Sequence, residues 1–174
     1  MRLYGALLVG LFAISPVRAQ DDDPPPPAPT GIDVFANVTL YQPDSSNTAV
    51  MAPRTASLPN NTVLAAWNES STAGSIAVYR STNSGYSWYQ YGTATSDSGK
   101  KLLQPDLLYI NGTYGDDDGI VLLAVVAADD RTTAIELYTS GDSGQSWDLV
   151  SEIATGGPLS NVTTAVANPY LFHK

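Results

Sequence analysis

Ile76-Ala-Val-Tyr-Arg-Ser-Thr-Asn-Ser-Gly-Tyr-Ser-Trp88 returns 59 residues later, without a gap, as Ile135-Glu-Leu-Tyr-Thr-Ser-Gly-Asp-Ser-Gly-Gln-Ser-Trp147. The shared core is Ser-x-Asn/Asp-x-Gly-x-x-Trp, formed by Ser81, Asn83, Gly85 and Trp88 and again by Ser140, Asp142, Gly144 and Trp147. Each element suits a hairpin turn. The Ser and Asn/Asp oxygens can accept bonds from turn N–H groups, Gly can take a positive φ, and Trp opens the next strand with a large apolar face to bury. Self-similarity at a fixed offset is the mark of an architecture built by repetition.

Outward from these two turns, short β-rich runs alternate with clusters of Gly, Asn, Ser and Asp, and no stretch holds a helical period. The expected strands are 37–41, 52–58, 62–67, 75–80, 88–92, 103–110, 120–127, 133–139, 147–152 and 164–172. The chain therefore reads as all-β. Residues 120–127 (IVLLAVVA) have the unbroken apolar character of a buried central strand.

The 174 residues include 17 acidic and 8 basic side chains, for a net charge of -9, with 43% hydrophobic residues and no cysteine. That much apolar material supports one ordinary core. The acidity argues against nucleic acid and anionic membrane as partners, since both would repel the surface. Disulfides, thiol catalysis and zinc-cysteine or iron-sulfur sites are excluded.

The N-terminus reads as an address. Arg2 is followed by the apolar run 3–14 and by Val17-Arg18-Ala19, which fits signal-peptidase cleavage before Gln20, so residues 1–19 are expected to be a secretory signal. Its loss removes Arg2 and Arg18 and leaves a more acidic chain. Sequons at Asn37, Asn60, Asn68, Asn111 and Asn161 add the expectation of a secreted, extracellular glycoprotein. Residues 20–33 hold Asp21-Asp22-Asp23 and a run of prolines, and form an acidic, Pro-rich linker. The domain proper is expected over 34–174.

The two turns resemble the Asp boxes of sialidase-like β-propellers. In that family the box joins the third and fourth strands of a blade at the periphery, which implies structural roles for its residues here. A narrower resemblance covers most of residues 34–174. The segments Val38-Thr-Leu-Tyr-Gln-Pro43, Ala52-Pro-Arg-Thr-Ala-Ser-Leu-Pro-Asn-Asn-Thr-Val-Leu-Ala-Ala-Trp67, Leu103-Gln-Pro-Asp-Leu-Leu-Tyr-Ile110 and Ile135-Glu-Leu-Tyr138, with Ser151-Glu-Ile-Ala-Thr-Gly-Gly157, are similar to fungal family 93 glycoside hydrolases. The resemblance implies part of a six-bladed propeller of the exo-arabinanase type, which releases arabinobiose from arabinan. About two blades and the first strand of a third fit into residues 34–174, so the chain is expected to be an N-terminal fragment of a longer ring or a small half-propeller. Its open edge would favour self-association.

In a propeller the first strand of each blade lines the central channel. Counting back seven residues from Asn61 and from Asn111 picks out Arg54 and Gln104 as equivalent positions, and Asn168 opens the corresponding Asn-Pro-Tyr-Leu segment of a third blade. Arg54, Gln104, Asp106, Asn168 and Tyr170 are the expected substrate-facing residues, Tyr170 as a stacking ring. Glycoside hydrolysis needs a pair of carboxyl groups. The family pattern carries Glu where Asn168 stands, and Asp106 is the one acidic residue assigned to the channel, so the catalytic residues stay unknown. Glu136 is expected to be peripheral, Glu69 to follow the second strand and Glu152 to sit on a fourth.

Gly115-Asp-Asp-Asp-Gly119 with Asp129-Asp130 is either a calcium-holding cluster or a pair of solvated turns flanking an apolar strand. His173 is the only histidine, which excludes a histidine metal centre and a Ser-His-Asp triad. No metal or cofactor is expected. Two functions follow: an exported arabinanase-like propeller piece, inactive as written, or a secreted, non-catalytic Asp-box protein that binds carbohydrate.

Overall fold

The computed structural model describes residues 38–43, 45–46, 48–70, 74–112 and 119–173. The expected signal, the linker and Asn37 lie outside these residues. Eight strands form two four-stranded sheets: β1 (Val50–Ser57), β2 (Val63–Glu69), β3 (Ser75–Ser81) and β4 (Tyr89–Thr95), then β5 (Lys101–Ile110), β6 (Ile120–Ala128), β7 (Thr133–Ser140) and β8 (Asp148–Gly156). Both sheets are antiparallel meanders in sequence order, β1-β2-β3-β4 and β5-β6-β7-β8. This is the four-stranded unit of a propeller blade, made twice.

The sheets pack through their facing surfaces, with β5 lying against β1, β2 and β3. Alternation along the strands supplies the core: Leu64, Ala66, Ile76, Val78 and Ala94 from the first blade meet Leu102, Leu107, Val121, Leu123, Val125, Ala127 and Tyr138 from the second. On the opposite face of the first sheet Trp67 stacks on Tyr79 at 4.6 Å between ring centres, and Tyr41 covers both at 5.2 and 5.5 Å. Strand β6 is buried along almost its whole length.

Two of the ten expected strands are absent. Residues 38–41 carry no strand, and neither does 164–172. In the second case Thr164 N and Ala165 N turn back onto Asn161 O, and three further backbone N–H groups are taken by side chains instead of a neighbouring strand. Val166 N donates to Thr133 Oγ1 (2.9 Å), Asn168 N to Gln104 Oε1 (2.8 Å) and Leu171 N to Asp106 Oδ2 (2.6 Å).

The Asp-box residues close the β3–β4 and β7–β8 turns. In the first, Ser81 Oγ accepts from Gly85 N (2.8 Å), Asn83 Oδ1 accepts from Ser87 N (3.0 Å), and Trp88 Nε1 donates to Gly85 O (2.8 Å). In the second, Ser140 Oγ accepts from Gly144 N (2.8 Å), Asp142 takes bonds from Gln145 N, Ser146 N and Ser146 Oγ, and Trp147 Nε1 donates to Gly144 O (3.1 Å). Gly85 and Gly144 have φ of 92° and 101°, the left-handed region that only glycine enters freely. Burial pushes the Asp142 carboxyl up, but the bonds from Ser146, Ser140 and Gln145 outweigh it and hold the group down at about 2.

Candidate functional site

Both first strands carry the same break. In β1, Met51 pairs with Asn68 and Arg54 with Ala66, so Ala52 and Pro53 together oppose Trp67 alone. In β5, Leu103 pairs with Val126 and Asp106 with Ala124, so Gln104 and Pro105 together oppose Val125. Each is a β-bulge, which bends the strand and re-aims the next side chain. The residue before each proline is left-handed, Ala52 at φ 52° and Gln104 at φ 49°, and Asn168 before Pro169 repeats this at 54°. A left-handed non-glycine residue costs about 1–3 kcal/mol, and such strain gathers at functional sites.

The bulges correct the equivalence drawn from sequence. Arg54 corresponds to Asp106, not to Gln104; Gln104 corresponds to Ala52 and Asn168, and Tyr170 stands at the Arg54 and Asp106 position. Counting back from the turn failed because β5 runs two residues longer than β1. The x-Pro pair itself was the signal that marks the register.

Each side chain just past a bulge reaches the segment that follows its own blade. Arg54 Nε lies 3.2 Å from Asp106 Oδ1, and Arg54 Nη1 donates to Pro53 O. Asp106, 5% exposed, gives its other oxygen to Leu171 N. Gln104 holds Asn168 N, and Gln104 N in turn donates to Asn68 Oδ1 (3.2 Å). Arg54, Gln104, Asp106 and Asn168 thus form one connected cluster along the inner edge. Tyr170 is 77% exposed beside it.

Sequence reading missed the part played by Asn68, which it took for a sequon. The residue is 3% exposed and its oxygen anchors the Gln104 bulge across the blade boundary. A glycan cannot be accommodated on that buried amide in the fold. Asn60, Asn111 and Asn161 are exposed.

The remaining acidic residues stand away from this edge. Glu136, on the third strand of its blade, is buried rather than surface-exposed, and accepts from Tyr138 Oη at 2.7 Å. Burial, reinforced by that bond and the Glu136 charge, pushes the Tyr138 phenol up. Glu69 is the last residue of β2 and accepts from Trp67 Nε1, and Glu152 is exposed on β8. Asp129 caps the β6–β7 turn through Arg131 N and Thr132 N, bonds that lower its carboxyl. Asp116 to Asp118 lie outside the described residues, and among those described no three His, Cys, Asp or Glu side chains gather as a metal site.

Two bulged, four-stranded antiparallel sheets closed by Asp-box turns define the class: an all-β chain built of β-propeller-type blades. No family model matches the chain, and no curated protein does. Solved structures do. The α-L-arabinofuranosidase Arb93A of Fusarium graminearum, in complex with an iminosugar inhibitor, matches with a TM-score of 0.57 at 27% identity, over 63% of this chain and 33% of that one. The Penicillium chrysogenum α-L-arabinanase complexed with arabinobiose matches with a TM-score of 0.54 at 33% identity, over the same shares. The family 93 α-L-arabinofuranosidase of F. graminearum with arabinobiose gives 0.57 and 27%. The chain is structurally similar to family 93 glycoside hydrolases and spans about a third of the length of those structures.

Proposed function

We propose that this chain is a secreted, carbohydrate-directed portion of an arabinanase-like propeller that binds an arabinan-type glycan at its inner edge without hydrolysing it. The observation that carries the reading is the Arg54–Asp106–Leu171 relay in a chain structurally similar to proteins solved with arabinobiose. Arg54, half-exposed, offers further N–H donors to sugar hydroxyls, and Tyr170 offers a ring face.

Binding is favoured over catalysis by the state of Asp106. Both its oxygens are engaged and it is buried, whereas Arg54, Gln104, Asn168 and Tyr170 carry no second carboxyl group. Without a pair, neither the retaining nor the inverting route can run. Exposed apolar side chains on β8 (Leu149, Val150, Ile153) and at Tyr170 and Phe172 support association between copies.

The test is calorimetric titration of the chain with arabinobiose, together with an assay for sugar release from arabinan. Saturable binding that Arg54→Ala weakens about tenfold, with no release, supports the proposal. Release of arabinobiose would overturn the non-catalytic reading, and absence of binding would overturn the site.

A further inference from the structure

The boundary between the two blades shows how one blade receives another. Arg54 and Ala56 face the second sheet from β1: Arg54 meets Asp106, and Ala56 joins the shared core in which Leu107, Leu123 and Val125 are the receiving side. The register puts Thr55, Ala65 and Trp67 of the first blade at the stations of Leu107, Leu123 and Val125. The first blade therefore has a receiving face of its own, and among the described residues no sheet packs on it. A groove of about 450 Å³ runs there instead, lined by Tyr41, Pro53, Arg54, Thr55, Ala65 and Trp67.

The matching insert follows β8. Tyr170 stands at the station of Arg54 and Asp106, so Phe172, two residues on, stands at that of Ala56. Exposure alternates along this segment: Pro169 and Leu171 are half-buried, whereas Tyr170 and Phe172 are 77% and 72% exposed. The two aromatic side chains thus project from the side that, on β1, faces the following blade. Their sizes suit the groove. Between the two blades a small insert, Ala56, shares a core with the large Leu107 and Leu123. At the groove the relation is reversed, with small Thr55 and Ala65 leaving space and large Phe172 available to fill it. The open volume is about fifteen times the share of one water molecule, enough for both rings.

We propose that this groove is the socket for a second copy of the chain, which inserts Phe172 and lays the Tyr170 ring against Arg54. The half-exposed guanidinium gives one donor to Asp106 and one to Pro53 O, and its remaining N–H groups can meet a ring face. The step from one copy to the next repeats the step from the first blade to the second. The contact is therefore heterologous, each copy offering one insert and one socket. The apolar edge of β8 is a poorer candidate: Val150 and Ile153 are skipped by the β7–β8 ladder, and a bulged edge resists pairing with another chain. This contact gives the association between copies a defined surface and, being read without sugar, stands or falls apart from glycan binding.

The experiment is sedimentation of the full chain over a concentration series in the absence of sugar. The mass should rise with a midpoint of about 10–100 μM. Phe172→Asp and Thr55→Glu, both at exposed positions, should each weaken association about tenfold or more while keeping the wild-type thermal transition. Mixed in equal amounts, the two variants should recover a dimer, with a midpoint within about threefold of the wild type's and no larger species, because one brings an intact socket and the other an intact insert. Val150→Ser should keep the wild-type midpoint. A chain that stays monomeric at about 1 mM would overturn the proposal and leave the groove to another occupant. Failure of the mixed variants to dimerise, or loss of association in Val150→Ser, would overturn it as well.

Discussion

Arg54 and Asp106 stand at the same station in consecutive blades, and the guanidinium of the first meets the carboxylate of the second at 3.2 Å. Asp106→Ala leaves Leu171 N–H and the half-exposed Arg54 without their acceptor, and should cost about 1–3 kcal/mol in urea unfolding. Asp106→Asn keeps an oxygen for Leu171 N and should cost about half as much. Equal losses in the two variants would show that the charge, and not the acceptor to Leu171, holds the edge.

Asn68→Ala strips Gln104 N–H of its acceptor at a left-handed residue and should destabilise the chain by about 1–2 kcal/mol. Expressed in a glycosylating host and mapped by mass spectrometry, the chain should carry sugars at the exposed Asn60, Asn111 and Asn161 and none at Asn68. Full occupancy of Asn68 on a cooperatively folded chain would contradict its anchoring role.

The two Asp boxes should respond differently to acid. The Asp142 carboxyl sits at about 2 in the fold against an ordinary 3.8, so its contribution to stability is present above the ordinary value and is lost as pH falls through about 2. Asn83, in the first box, does not titrate. Between pH 5 and pH 2 the Gly144 and Ser146 amides should lose hydrogen-exchange protection relative to Gly85 and Ser87. Asp142→Asn should abolish the difference.

Gly144→Ala should be worse than Gly85→Ala. Both residues are left-handed, which alone costs about 1–2 kcal/mol for alanine. A methyl group at Gly85 would meet Trp88 at an ordinary 3.6 Å, whereas at Gly144 it would come within 2.8 Å of Leu64 Cδ1 in the core of the other blade. An additional loss of about 1–3 kcal/mol is expected for Gly144→Ala in thermal unfolding.

The fold was legible because the turns advertise themselves. Ser81 to Trp88 and Ser140 to Trp147 carry their hydrogen-bonding groups and glycines at fixed spacing, and the runs between them alternate as strands do. The site was legible only in its membership. Arg54, Gln104, Asp106 and Asn168 do meet, but their equivalence was hidden because β1 and β5 share a bulge and then differ by two residues in length, so a count back from the turn lands two residues off. Asn68 was opaque for a different reason: burial of a polar residue at a blade boundary depends on which sheets face each other. Residues 164–172 have the composition of a strand, yet a strand exists only where its N–H groups find a ladder, and here β5 side chains and Thr133 take them first.

The thrice-used left-handed residue and proline have one more consequence. From Ala52 to Gln104 is 52 residues, and from Gln104 to Asn168 is 64, yet the backbone arrives each time in the same local conformation. Outer hairpins can therefore lengthen or shorten while the inner ledge keeps its shape. The residue just after the proline becomes an interchangeable fitting, Arg in one blade, Asp in the next, Tyr after that, so recognition can drift by single substitutions while the scaffold stays still.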